Sequence, residues 1–283
     1  MSIIDPDTLS IVKQALHEDR ALDDITTALM ISHDISATGN FISKAEGILC
    51  GGPIAEIAFH EIDAKLDVDM VIKEGTQLQS GTIIGSVRGS AASILKGERT
   101  ALNFLQHLSG IATTTSKYVG AVAGKPVKIV DTRKTTPGLR SLQKYAVRTG
   151  GGGNHRQNLA DGILIKDNHI AALRSLKFSL SDIVHKALRE APYSTKIEIE
   201  VTSIAEAEEA IVAGAHIVLL DNMNLREIRA VVQLNRGRAL LEASGGIDIQ
   251  TVLSVADCGV DLISIGALTH HIFSLDISLD FEY

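Results

Sequence analysis

Ile197-Glu198-Ile199-Glu200, Ile217-Val218-Leu219-Leu220-Asp221, Ala239-Leu240-Leu241-Glu242-Ala243-Ser244 and Leu262-Ile263-Ser264-Ile265-Gly266 begin about 20 to 23 residues apart. Each is a short apolar run that closes on a polar, charged or glycine residue, the pattern of a buried strand. Val127-Lys128-Ile129-Val130-Asp131 and Gly162-Ile163-Leu164-Ile165-Lys166 repeat it upstream, giving six strands after Lys125. A seventh is expected near residues 146–153. The gaps carry helical patterns. Residues 203–210 form a helix with Ser203 as N-cap and Glu206 at the capping-box position, and 224–235 and 248–257 follow the same period. Strand–helix alternation of this kind predicts parallel strands joined by crossover helices. No Gly-x-Gly-x-x-Gly opens a helix after a strand, so an open β/α barrel fits better than a dinucleotide-binding sheet.

Residues 1 to about 110 lack that rhythm. Helices are expected at 5–18, 53–62 and 94–108, and strands at 40–50, 67–73 and 82–89, an α+β arrangement. Residues 275–281 alternate apolar and polar at period two, the pattern of an edge strand returning to the first sheet.

Composition narrows the function. With 45% hydrophobic and 22% charged residues the chain reads as globular. Aromatics are only 4% and Trp is absent, too few to build stacking platforms for single-stranded nucleic acid. The net charge of −7 argues against a general nucleic-acid or membrane-surface binder. The longest apolar stretch, 210–220, is interrupted by His216 and is far short of a membrane span. No basic segment followed by an apolar one marks the N-terminus, and Cys50 and Cys258 lie far apart with no Cys-x-x-Cys pair. A cytoplasmic protein without zinc or disulfides is expected. The average charge hides an inversion: residues 125–170 carry nine basic residues against three acids, a local +6, so the rest of the chain carries −13. Such a segment suits a small anion, or is a solvated basic face.

In a β/α barrel the carboxyl ends of the strands line the active site. Those ends bring up Arg133 and Lys134, Lys166, Glu200, Asp221, Ser244 with Gly245-Gly246, and Gly266 with Ala267. Strand interiors are expected to exclude charge, because an unpaired buried ion is costly. Glu200 and Asp221 end neighbouring strands and suit either Mg²⁺ or sugar hydroxyls. Lys166 suits either a Schiff base or a cation for a carboxylate. Gly150-Gly151-Gly152-Gly153-Asn154-His155-Arg156 permits close backbone approach to a ligand beside two donors, or is a mobile loop. Ser244-Gly245-Gly246-Ile247-Asp248 fits a phosphate loop or an ordinary turn. Arg99, near the start of its helix, reads in isolation as a surface residue, and the adjacent His270 and His271 read as structural.

Taken together these strings closely resemble the quinolinate phosphoribosyltransferases, the carboxylating nicotinate-nucleotide pyrophosphorylases, of the type II phosphoribosyltransferase class. The resemblance runs nearly end to end. It is carried by Asp24-Ile25-Thr26-Thr27, Gly97-Glu98-Arg99-Thr100-Ala101-Leu102-Asn103, Asp131-Thr132-Arg133-Lys134-Thr135-Thr136-Pro137-Gly138, Gly151-Gly152-Gly153-Asn154-His155-Arg156, Ile165-Lys166-Asp167-Asn168-His169, Leu220-Asp221-Asn222-Met223, Glu242-Ala243-Ser244-Gly245-Gly246 and Gly266-Ala267-Leu268-Thr269-His270. His271 is a small departure, where the family often has a small residue.

The resemblance implies an N-terminal α/β sandwich, residues 1–111 completed by 272–283, and an open barrel of about seven strands at 112–271. It implies a homodimer with shared active sites. The implied reaction joins quinolinate to phosphoribosyl pyrophosphate with Mg²⁺, giving nicotinate mononucleotide, pyrophosphate and CO₂, a step of NAD biosynthesis. Arg133, His155, Arg156 and Lys166 are then expected around quinolinate, with Thr132 and Lys134 beside them and Arg99 arriving from the partner. Glu200 and Asp221 are expected at the ribose and Mg²⁺. Ser244, Gly245, Gly246, Gly266 and Ala267 are expected at the 5′-phosphate. Lys134, Lys166, Glu200 and Asp221 are the expected catalytic residues. Three rivals are a related transferase with another acceptor, a Schiff-base aldolase using Lys166, and a binding module suggested by the turn at 74–81. That turn lacks a Lys at its tip.

Overall fold

The computed structural model describes residues 6–32 and 34–282. Asp5, the expected first residue of the first helix, and Tyr283, the last of the tail, lie outside the described residues. The strands are β1 (Ser36–Ser43), β2 (Gly47–Ile48), β3 (Asp67–Asp69), β4 (Gln77–Leu78), β5 (Ile83–Ser90), β6 (Lys128–Val130), β7 (Ile163–Ile165), β8 (Ile197–Val201), β9 (Ile217–Asp221), β10 (Leu240–Ser244), β11 (Leu262–Ser264) and β12 (Ile277–Glu282). The chain divides into two compact units. One comprises residues up to 116, 135–151 and those from 268 on; the other comprises 117–134 and 152–267.

The first unit is built on an antiparallel sheet of order β12-β1-β5-β3. Alternate residues of β1 are buried, including Ala37, Phe41 and Ser43, so one face meets the core and the other does not. The C-terminal strand pairs with β1 from Thr38↔Glu282 to Ser43↔Ile277. Phe41 and Phe59 meet edge to face with ring centroids 5.9 Å apart at the centre of this core. The expected helix at 94–108 runs instead over Ala91–Ala121. Its Gly110 is required by close approach, since a Cβ there would lie 2.1 Å from the Phe273 carbonyl oxygen of the returning tail. Tertiary contact thus overrides the poor helix propensity of glycine.

The second unit is a parallel sheet of order β6-β11-β10-β9-β8-β7. Its end strands β6 and β7 remain unpaired with each other, which leaves the barrel open. At the position of the expected seventh strand the chain is helical over Arg140–Thr149, and only Gly153 forms a parallel bridge, to Val130. The helix expected at 224–235 forms over Leu225–Asn235, capped by Asn224 with a complete capping box through Glu227. Ser203 caps Ile204–Val212 by accepting from Glu206 N–H, but the Glu206 carboxylate turns to Thr202 and Arg174 and closes no box. The last expected helix shortens to Val252–Ala256, because Asp248 folds the preceding residues into a turn by accepting from Gln250 and Thr251 N–H. Among the described residues no helix is long and apolar enough to cross a membrane.

Candidate functional site

Parallel register brings the carboxyl ends of the strands to one level. Lys166 follows β7, Glu200 is the penultimate residue of β8, and Asp221 and Ser244 close β9 and β10 as direct partners. Lys166 Nζ lies 3.5 Å from Glu200 Oε2. Burial raises the Glu200 carboxyl above the usual glutamate range; Lys166 opposes the shift, while Asp221 and Asp167 add to it. Asn222, in the left-handed region at φ 53°, sets the geometry of the next loop. Its backbone N–H donates to Ser244 O at 2.9 Å and its side-chain amide donates to Asp221 at 2.8 Å. Gly245, at φ 94°, accommodates it, since a Cβ there would sit 2.3 Å from Asn222 Oδ1. The tips 221–222 and 244–246 are therefore locked together, and Gly246 also takes a left-handed φ of 62°. Gly266 and Ala267 follow β11, whose continuation is anchored by Ile265 N–H donating to Val130 O.

A second group gathers around Asp131, which is fully buried directly after β6. One Asp131 oxygen accepts from His155 N–H at 2.8 Å and the other from the Asn154 amide at 2.7 Å. This ties the segment carrying Thr132, Arg133 and Lys134 to the segment carrying His155 and Arg156. Within the first, Thr132 Oγ1 accepts from Lys134 N–H. Burial lowers the Arg156 pKa and the nearby Arg133 charge lowers it further, while Glu198 and Asp161 oppose this. Arg156 Nε is buried with no hydrogen-bond partner.

Glu198 and Glu242 overturn the expectation that strand interiors exclude charge. They lie inside β8 and β10, 5% and 1% exposed. His155 Nε2 is 3.0 Å from Glu198 Oε2 and 3.6 Å from Glu242 Oε2. Flat neighbouring strands are about 4.8 Å apart, so side chains from β8 and β10, with β9 between them, meet only because the sheet curls around them. A cavity of about 610 Å³ is lined by these three residues with Arg156, Lys128 and Lys196, and reaches the first residues of β7, β9 and β11.

Of the residues singled out from sequence, Lys166, Glu200 and Asp221 thus form one cluster and Arg133, His155 and Arg156 another. Arg99 is exposed on the helix Ala91–Ala121 in the first unit. His270 and His271 pack edge to face on each other at 4.2 Å. Sequence reading assigned no role to Asp131, Asn222, Glu198 or Glu242. The charges set inside two apolar runs were the available signal for the last two.

Residues 24–109 and 111–280 match the family profiles described as the N-terminal and C-terminal domains of quinolinate phosphoribosyl transferase. The chain is 42% identical to the probable nicotinate-nucleotide pyrophosphorylase [carboxylating] of Bacillus subtilis (strain 168), over 92% of this chain and 90% of that one. It is 40% identical to the nicotinate-nucleotide pyrophosphorylase [carboxylating] of Mycobacterium leprae (strain TN), over 95% of each. The crystal structure of NadC from Streptococcus pyogenes superposes with a TM-score of 0.92 at 42% identity, covering 97% of this chain and 96% of that one.

The buried Glu242 carboxyl carries a pH signature. Burial, reinforced by Glu198, raises Glu242 to about 7. A native value above the unfolded one means that the folded state holds the proton more tightly. The resulting stability is complete below the ordinary glutamate range and is lost as pH climbs through about 7. Glu242→Gln cannot ionise. The melting temperature of the wild type relative to this variant is therefore expected to fall between about pH 5 and pH 8; a difference independent of pH would contradict the assignment.

Proposed function

Because the chain belongs to the quinolinate phosphoribosyltransferase family, we propose that it transfers phosphoribosyl from phosphoribosyl pyrophosphate to quinolinate and releases nicotinate mononucleotide, pyrophosphate and CO₂. The observation that carries the reading is the Arg133–Arg156 pair: the Arg133 charge lies close enough to lower Arg156, whose Nε is buried and lacks a partner. Such a pair calls for an anion, and quinolinate is a dianion whose planar carboxylates suit guanidinium forks. In this proposal Arg133, His155, Arg156 and Lys166 surround quinolinate, with Thr132 and Lys134 beside them. Ser244, Gly245, Gly246, Gly266 and Ala267 receive the 5′-phosphate.

Glu200 and Asp221 take the ribose hydroxyls. The quinolinate ring nitrogen bonds to the anomeric carbon as the bond to pyrophosphate breaks. The ribose passes through a cationic, oxocarbenium-like state, which the two carboxylates stabilise electrostatically. Loss of CO₂ leaves its electron pair on C2, an ylide stabilised by the adjacent quaternary nitrogen, and C2 then takes a proton from water to give nicotinate mononucleotide. The chain's main contribution is positioning. Lys166 and Lys134 counter the charge developing on the leaving group. The donor set fits a hard divalent cation: two carboxylates at adjacent strand ends, with Glu200 raised by burial and further by Asp221 and Asp167. Magnesium held there by Glu200 and Asp221, through water or substrate oxygens, would neutralise pyrophosphate.

A homodimer and a cytosolic setting belong to the same proposal. Arg99 is exposed, and Leu22, Ile25, Leu29 and Met30 present apolar side chains that are more than 70% exposed, a surface that supports a second copy. Arg99 would then complete the partner's site.

Purified protein is expected to form nicotinate mononucleotide and CO₂ from quinolinate with phosphoribosyl pyrophosphate and Mg²⁺. Product from nicotinate alone would refute the substrate assignment. Lys166→Ala is expected to lower turnover by about a hundredfold or more with little change in melting temperature, because Lys166 is an exposed strand-end residue. A large loss of stability would contradict that placement. Subunits carrying Arg99→Ala and Arg156→Ala, each inactive alone, should regain about a quarter of wild-type activity after random exchange. No recovery after proven exchange would place each site within one chain.

A further inference from the structure

The cluster of His155, Glu198 and Glu242 admits an obvious reading as a metal site. One ligand atom from each residue lies within 4.8 Å of the others, and both carboxylates are buried. The imidazole argues against it. His155 Nδ1 accepts a hydrogen bond from Arg156 N–H at 2.8 Å, so its lone pair is engaged. A neutral imidazole accepting at Nδ1 carries its proton on Nε2. That nitrogen therefore has a proton to give, and Glu198 Oε2 stands 3.0 Å away to receive it in a hydrogen bond. The ring is a bridge with an acceptor end and a donor end.

Each end of this bridge is anchored in a different part of the barrel. Glu198 lies within β8, fixed by pairing of Glu198 with Ile217 and of Ile199 with Val218 on β9. The other end holds the backbone amide from which the Arg156 side chain departs. The amide one residue earlier, His155 N–H, is held by Asp131. Two consecutive peptide N–H groups at the base of Arg156 are thereby set by a strand interior and by the end of β6. Binding groups must be held to within about 0.5 Å to act in concert, and the partners of the binding group usually do the holding.

We propose that Glu198 is a positioning residue of this enzyme: through the His155 ring it fixes the Arg156 backbone amide and so aims the Arg156 guanidinium at the quinolinate carboxylates. Glu242 Oε2, 3.6 Å from the same Nε2, lies beside this bond without accepting from it. Glu198 also faces the Arg156 charge. The hydrogen bond and the charge make different demands on a substitute. Glutamine keeps an acceptor oxygen and loses the charge, whereas leucine loses both.

The inference rests on the quinolinate reading, but its first test does not. Long-range ¹H–¹⁵N correlation NMR on the wild-type protein, with the His155 signal assigned by its loss in His155→Gln, should report the neutral ring protonated at Nε2. A ring protonated at Nδ1 would overturn the proposal whatever the substrate. Kinetics supply the second test. Glu198→Leu is expected to raise KM for quinolinate about tenfold or more while KM for phosphoribosyl pyrophosphate stays within about twofold. Glu198→Gln should hold KM for quinolinate within about threefold of wild type. If Glu198→Gln is as impaired as Glu198→Leu, or if both KM values rise together, the bond does not position Arg156. Should the leucine variant fail to fold, the wild-type tautomer and the glutamine variant still decide the question.

Discussion

Cations that repel one another must nevertheless be held on one rim if a dianion is to be gripped there. Burial lowers the Arg156 pKa by withdrawing water that would otherwise screen its charge, and the nearby Arg133 charge lowers it further. The barrel meets this cost from inside, with Glu198 and Glu242 buried on β8 and β10 close to His155, and Glu198 opposing the shift of Arg156. A buried carboxylate is itself expensive unless it is paired. Interior acids and rim cations therefore depend on one another, and Asp131 joins the two loops that carry the cations.

The ends of β9 and β10 are organised by backbone conformation. Asp221 and Ser244 are held by Asn222 and Gly245, each in the left-handed region, with the Asn222 amide directed at Asp221. Only glycine fits at 245, because the Asn222 side chain occupies the space a Cβ would need. A rigid pair of tips of this kind can present a carboxylate and a run of backbone N–H groups together. That combination suits a phosphorylated sugar, whose hydroxyls and phosphate require opposite chemistries a short distance apart.

Much of this was legible in the chain itself. Regular spacing of apolar runs specified the parallel sheet, since crossover helices leave few other solutions. The residues closing those runs lie at the carboxyl ends because charge is cheapest where a strand leaves the core. What stayed hidden depended on contacts distant in sequence. Glu198 and Glu242 contravene the rule against charge within strands, and only the curled sheet brings a histidine to them. The direction of the His155 ring is set by Arg156 N–H and by Glu198 inside β8, so its identity in a motif said nothing about its tautomer. Residues 146–153 share the composition of a strand start, yet helix closes them off through Thr149 and only Gly153 reaches Val130. The helix Ala91–Ala121 runs on past residue 108 through Gly110, where a close approach to the Phe273 carbonyl, distant in sequence, calls for the glycine.

A dianion seated among fixed cations is the central claim. A crystal structure of the protein with bound quinolinate decides it. The pyridine carboxylates are expected in contact with the guanidiniums of Arg133 and Arg156 and the ammonium of Lys166. Quinolinate bound elsewhere, with those three side chains directed away from any common ligand, would contradict it.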